Sequence, residues 1–421
     1  MPSLAVMSIL GICFSIIIGF YKKTNVGILM IAFAFILSII YNIPTKEILS
    51  GFSVKLFITM LGVTYLFSIM SGNGTLDIIS KKIVNVVHNK KLLPVAMYLV
   101  GFILCAVGPG AIPVLAIVPV IAIPIAFQAK LNPIMLAIIG QCGVFGGRMT
   151  QITPEGVLVK DLMSSQQIEN QMFPVWFSLF FTSVALAIAC YIWYKGWKTE
   201  EDTAPSDHYV ENTHMTWVHW TSLCALLLLI VCAVGFSLNV GLTAFVIGAA
   251  LSAFGSGNEN QAIKNIPWSV LILVSGVGLL MHIVLKSGGL DILTQSLASI
   301  MTATTASSVM VMTSAIMSFF SSGLGVVFPT LIPTCQGIIE QLGGHASAIE
   351  LVAMVVVGGT VSGLSPVSTT GALIMSGIAT NKEAEQTYTP SKMFVELFAW
   401  ATFAMVISFV LAIVGFFSLI C

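Results

Sequence analysis

Apolar residues run in long stretches along this chain, and the polar residues between them are few. Runs at about 4–20, 26–42 and 52–70 have the length and character of three membrane spans. Over Thr75 to Lys91 the pattern becomes helical alternation, with Leu76, Ile79, Ile83, Val86 and Val87 opposite Asp77, Lys81, Lys82 and Lys90. That pattern suits a helix lying in the membrane interface; a solvated connector is the other reading. From about 92 to 128 the chain is apolar but punctured by Gly108, Pro109, Gly110, Pro113, Pro119 and Pro124. Proline removes a backbone donor and clashes with the preceding turn, so two short helices joined at Gly108-Pro109-Gly110, a re-entrant hairpin, fit better than one continuous helix. An interrupted helix is expected at about 132–163, broken at Gly146 to Gly156, then a clean span at about 173–194.

Lys195 to Met215 is the one long polar stretch, and 196–216 reads as a cytoplasmic linker. The plan then recurs. Spans fall at about 217–235, 239–254 and 268–286, and a connector helix follows. A hairpin at about 307–340 is broken at Ser321-Ser322-Gly323, an interrupted helix covers about 346–380, and a last span covers about 393–418. Pro119 pairs with Pro333, and Asp77 with Asp291, at one and the same offset. Gly143 pairs with Gly358, Thr153 with Ser368, and Gly156 with Gly371, at an offset longer by a single position. The chain therefore divides into repeat 1 (1–195), the linker and repeat 2 (217–421). The expected fold is an all-α polytopic membrane protein: about ten transmembrane helices plus two re-entrant hairpins, in two inverted-topology repeats with broken helices. Five crossings per repeat make the second copy enter from the opposite side. The lysines agree. With the N-terminus outside, twelve lysines fall in inside loops and four (Lys46, Lys55, Lys160, Lys286) outside.

Composition strengthens this picture. Of 421 residues, 57% are hydrophobic and 8% charged, whereas a soluble domain carries roughly a quarter charged residues. Zero net charge leaves no basic footprint for nucleic acid. The eight cysteines form no C-x-x-C pair and read as small buried hydrophobes. His208, His214 and His219 read as loop histidines, with a metal site as the alternative. No positive charge precedes the first apolar run, so it reads as a retained span rather than a signal peptide. The expected location is the cell (inner) membrane, multi-pass.

Broken helices at membrane depth expose free N–H groups that attract anions, while unwound carbonyls and hydroxyls coordinate cations. The candidate substrate-binding residues are Gly108, Pro109, Gly110, Arg148, Thr150, Thr153, Ser321, Ser322, Gly323, Ser365, Ser368, Thr369 and Thr370. Candidate cation ligands are Gly147, Thr153, Ser321, Ser362 and Thr369. Arg148 is the only arginine in the chain and lies inside the first break, where its repeat partner is Gly363. A guanidinium at membrane depth needs a partner, and its planar fork suits a carboxylate. It either holds an anionic substrate or pairs with Glu155 to fix the break. Glu155, Glu350 and Glu396 are candidate proton carriers or helix ends near water.

At these motifs the chain resembles the ion transporter superfamily, in particular the divalent anion:sodium symporters and MatC-type dicarboxylate carriers, in its order of elements over nearly its whole length. Each hairpin tip of the symporters carries a Ser-Asn-Thr motif followed by an apolar run with Leu-Pro. Here Gly108-Pro109-Gly110 leading to Val118-Pro119, and Ser321-Ser322-Gly323 leading to Ile332-Pro333, stand in those places. Gly147 to Gly156, with Thr153-Pro154, and Ser365 to Gly371 stand where the symporters carry Thr-Pro-Pro-Asn-type segments. Asparagine is absent from both tips. The resemblance implies a homodimer whose transport domain moves as an elevator against a scaffold.

The expected function is symport of a small anionic substrate, a C3–C4 dicarboxylate such as malonate, malate or succinate. Sodium or protons drive it, with no cofactor beyond sodium as a coupling ion. The alternative is a cation/proton antiporter of the same superfamily. No nucleotide loop, metal-ligand cluster or nucleophile–base spacing supports an enzyme.

Overall fold

The structure is a computed structural model that describes residues 3–22, 24–76, 78, 82, 90–107, 110–168, 171–198, 214–232, 236, 238–266, 268–320, 322–343, 347–366, 368–379 and 390–421. Every regular element among them is helical. Helices α1 (Leu4–Lys22) and α2 (Val26–Tyr41), the short α3 (Thr45–Leu49) and α4 (Val54–Gly72) open the chain. Helices α5 (Leu93–Ala106) and α6 (Ala111–Gln128) form the first hairpin. Helices α7 (Pro133–Gly147) and α8 (Pro154–Ser165) are the two arms of the first interrupted helix, and α9 (Met172–Trp193) is a long span. The order then recurs as α10 (Trp217–Ile230), α11 (Val240–Ala253), α12 (Glu259–Asn265), α13 (Trp268–Lys286) and α14 (Gly289–Ala298). Helices α15 (Ala306–Phe320) and α16 (Gly323–Gln341) make the second hairpin. Helices α17 (Ala348–Val361) and α18 (Thr369–Ala379) make the second interrupted helix, and α19 (Pro390–Ile413) closes the set. Six stretches among the described residues are long and apolar enough to cross a bilayer, and seven shorter apolar helices accompany them. Most of the expected interfacial helix over 75–91 and of the linker over 196–216, His208 included, lies outside the described residues.

Matching residues start matching helices. The Asn25 side chain accepts from the Gly27 N–H at the head of α2, and its repeat counterpart Asn239 accepts from the Leu242 N–H at the head of α11. Asn132 caps α7 and Ser347 caps α17 in the same way. Each cap satisfies an orphan donor of the first turn. His219 does similar work at α10: its Nδ1 accepts from the Thr216 N–H at 2.9 Å, while its Nε2 lies 3.2 Å from the Asn73 carbonyl.

Packing between the halves is reciprocal. A methyl group added to Gly27 on α2 would strike the backbone of Ile272 and Leu273 on α13, and one on Gly276 would strike the backbone of Gly27. A methyl group on Gly241 of α11 would strike the backbone of Ile58 and Thr59 on α4, and one on Gly62 would strike Gly241. Gly241 and Gly276 are the repeat counterparts of Gly27 and Gly62, at the offset that relates Pro119 to Pro333. The same small-residue crossing, which lets membrane helices approach backbone to backbone, thus occurs twice with partners exchanged.

The apolar interior among the described residues forms two clusters. The smaller joins Ile12, Met30 and Leu37 of α1 and α2 to Val277, Leu280 and Val284 of α13. The larger runs through α4 to α7, α9, α15 to α17 and α19.

The two hairpins differ in one respect that their matching prolines conceal. Pro119 and Pro124 sit inside an uninterrupted α6. In α16, Gly323–Val327 winds as a π-helical turn and Ile332–Thr334 as a 3₁₀ turn, with Pro329 and Pro333 between or within them. There the backbone meets the missing donors by changing its hydrogen-bond step.

Candidate functional site

Arg148 follows the last residue of α7 and Glu155 lies in the first turn of α8, so the break of the first interrupted helix separates them. The glutamate is 1% exposed and the arginine 9%. Arg148 Nε stands 3.7 Å from Glu155 Oε1, an ion pair too long to be a hydrogen bond. The same Oε1 accepts from the Ala111 N–H at 2.9 Å, so this carboxylate satisfies the first donor of α6 from a separate element. Glu155 Oε2 and Arg148 Nε have no hydrogen-bond partner among the described residues. Gly110, with φ +74°, approaches so closely that a Cβ there would strike Glu155 Oε2. An aromatic ring also meets the arginine: the Arg148 guanidinium lies 5.9 Å from the centre of the Phe328 ring on α16.

Thr153 organises the break itself. Its hydroxyl donates to the carbonyls of Arg148 (2.7 Å) or Thr150 (2.8 Å) and accepts from the Gly156 N–H at 3.0 Å. Thr150 donates to the Ala106 carbonyl at 2.7 Å, tying the break to the end of α5. The second break repeats the carbonyl contacts of Thr153. Ser368 Oγ is placed to donate to the carbonyls of Gly363 and Ser365, the repeat counterparts of Arg148 and Thr150. Gly371 sits as tightly over the Ser365 carbonyl as Gly156 does over that of Thr150.

The remaining sequence candidates fall as follows. Gly108, Pro109 and Ser321 lie outside the described residues. Ser322 caps α16 through the Gly325 N–H at 3.2 Å. Gly323 abuts the Gly359 carbonyl on α17, and Ser318 donates to that carbonyl at 2.7 Å. Ser362 donates to Gly358 at 2.6 Å. Ser365 and Thr370 are buried, while Thr369 is exposed. Gly147 packs against the backbone of Phe102 and Ala106. The hydroxyls of Thr150, Thr153, Ser362 and Ser368 thus direct their protons at backbone carbonyls, which leaves oxygen lone pairs as what each can offer a ligand. The helix start that the first hairpin offers to an anion, that of α6, is already met by the carboxylate of Glu155.

Sequence reasoning missed two features. Phe328 has Val114 as its repeat partner, so the register gives no hint of its ring. A cavity of about 520 Å³ lies where α4 and α13 face α8 and α16, lined by Met60, Asp161, Leu162, Ser275, His282 and Pro333 among others. Beside it His282 Nε2 lies 2.9 Å from Ser50 Oγ, and Lys286 Nζ donates to Glu47 Oε1 at 3.0 Å. Residues of several separate elements meet at this cavity, and no local pattern announces that.

Two hairpins, two broken helices and an apolar multi-pass framework among the described residues define a polytopic membrane fold. Residues 1–148 match the family model for the N-terminus of the dicarboxylate carrier protein MatC, a match whose last residue is Arg148. This supports the MatC-type resemblance over that stretch. No curated protein matches the chain. Among solved structures, the chain is similar to the Alcanivorax borkumensis YdaH transporter, described as having an unusual topology. The TM-score is 0.57 at 14% identity, covering 88% of this chain and 87% of that one. It is likewise similar to Neisseria gonorrhoeae MtrF, described as illuminating a class of antimetabolite efflux pumps. That TM-score is 0.57 at 12% identity, covering 90% of this chain and 84% of that one. The fold is thus shared with solved transporters, and the family match over residues 1–148 is to a carrier.

Proposed function

We propose that the protein is a secondary active transporter of small carboxylates of the C3–C4 class (malonate, malate, succinate), coupled to sodium or protons. It works in the cell (inner) membrane as a homodimer, through two inverted-topology halves and elevator-type alternating access. The observation that carries this reading is Arg148: the chain's only arginine, nearly buried at a helix break, with Nε lacking a hydrogen-bond partner among the described residues. The exchanged glycine crossings and the duplicated hydroxyl contacts of the two breaks support the inverted halves.

In this reading Glu155 stands in for an anion while the site is empty, held by the Ala111 N–H and facing Arg148. A substrate carboxylate draws the guanidinium fork to itself. Glu155 is then a buried carboxylate without its counter-charge, a costly state that a proton or sodium ion relieves. Anion and cation therefore bind together, which is what symport requires. We assign the Thr153 and Ser368 oxygens, whose protons point at backbone carbonyls, as ligands that assist a sodium ion.

The test is uptake of labelled malonate, malate and succinate into proteoliposomes, under a sodium gradient, a proton gradient and neither. Saturable uptake of one acid driven by one gradient is the expected result. No uptake of any acid, with sodium–proton exchange in its place, overturns the reading in favour of an antiporter.

A further inference from the structure

At one end of α5, α7 and α9, four lysines surround a single hollow. Lys90, Lys130, Lys195 and Lys198 line a cavity of about 370 Å³ together with Asn132 and Tyr194. A second cavity of about 330 Å³ follows along the same three helices, with Lys91 at one end and an otherwise apolar lining that includes Val95, Ile139 and Ile188. The two are consecutive along each element. Just before α5 the hollow takes Lys90, and the furrow then takes Lys91 to Tyr98. On α7 they take Met135 and then Ile139; just past the end of α9 the hollow takes residues 194–196 and 198, and along α9 the furrow takes 184–191. The furrow therefore leads from the charged hollow towards the middle of the bundle, over about 10 Å of helix. Tyr98 and Ser183, whose hydroxyls are 2.8 Å apart, bridge α5 and α9 at its inner end. Its outer edge is open: Val95 is 53% and Ile188 54% exposed. Trp193 and Trp197 stand exposed beside the hollow, as indoles do at the boundary between lipid and water.

We propose that hollow and furrow together bind one anionic phospholipid, its headgroup phosphate among the four lysines and an acyl chain in the furrow. Each half of the site argues for one half of the ligand. Four lysines lining one hollow favour a negative headgroup over a zwitterionic one, and a soluble anion has no use for the apolar furrow. The feature is not a by-product of the repeat. The stretch that answers to Lys90 in the second half, Thr302 to Thr305, carries no lysine, and its hydroxyls bond one another.

The test uses the full-length protein purified in neutral detergent, with phosphatidylglycerol, phosphatidylcholine and inorganic pyrophosphate as probes. Native mass spectrometry is expected to retain one phosphatidylglycerol per chain in preference to phosphatidylcholine. The same lipid should raise Tm by about 3 °C more than phosphatidylcholine does. A K90Q/K130Q/K195Q/K198Q variant should lose the preference, and Ile188→Trp, which fills the furrow from its open side, should weaken lipid retention with the lysines intact. Equal retention of the two lipids by the unaltered protein overturns the proposal. So does pyrophosphate reproducing the full Tm shift, which would identify the ligand as a soluble anion. Neither readout depends on what the protein transports.

Discussion

At the scale of single residues, the site is a question of who holds Arg148. Its guanidinium has Glu155 at 3.7 Å and an aromatic face beyond it. Replacing it with lysine keeps the charge but loses the planar fork. Arg148→Lys should lower carboxylate uptake at least tenfold while leaving protein yield and Tm near those of the parent; parental uptake would remove Arg148 from the site. Glu155→Gln asks a different question. If this carboxylate carries the coupling charge, the variant should still exchange labelled for unlabelled substrate but should no longer accumulate it against a gradient. Full gradient-driven accumulation would take Glu155 out of the coupling role. The hydroxyls belong to a third class. Thr153→Val removes a helix cap and the contacts that shape the break, at a cost of about 1–2 kcal/mol, and should lower Tm. Thr153→Ser should restore most of the loss.

At the scale of elements, the two halves are joined where helices touch backbone to backbone. Gly27 and Gly241 occupy equivalent crossings, and any side chain there meets main-chain atoms that cannot swing away. Gly27→Val and Gly241→Val are each expected to destabilise by more than ~2 kcal/mol, as overpacking does, and to cut the yield of folded protein; valine accepted at both without loss would show the crossings to be looser than described. The hairpins make the complementary point. α6 tolerates two internal prolines in regular form, whereas α16 changes hydrogen-bond step twice. Matching prolines therefore do not dictate identical helices; the packing around each decides.

At the scale of the whole molecule, the 520 Å³ cavity lies between α4 and α13 on one side and α8 and α16 on the other. The proposed elevator would slide those two sides past one another. Met60→Cys on α4 combined with Leu162→Cys on α8 sets a thiol on each side. With the exposed Cys13 and Cys224 changed to serine, mercury treatment of the double variant should arrest uptake and a reductant should restore it. Undiminished uptake by a fully cross-linked sample would show that the two sides do not move relative to one another.

Much of this was legible in one dimension because the bilayer imposes a single strong rule. Apolar runs had to become helices, and Gly–Pro clusters within them had to become breaks, since unpaired backbone is not tolerated in lipid. The spacings of Pro119 with Pro333 and of Thr153 with Ser368 carry the register of the second half, and the structure returns the same helix order with caps at matching positions. The short helices α3 and α12 carry no readable pattern, because so few turns cannot show periodicity. What the sequence left open is which partner each polar group takes. Arg148 and Glu155 are neighbours in one break, and their pairing can be read from that alone. The same carboxylate also closes the start of α6, the Phe328 ring meets the arginine, and four lysines from three segments share one hollow. Each of these depends on contacts between segments far apart in the chain. Periodicity records how one helix divides its own faces between lipid and protein, whereas the identity of the group facing a side chain is fixed only when separate helices pack.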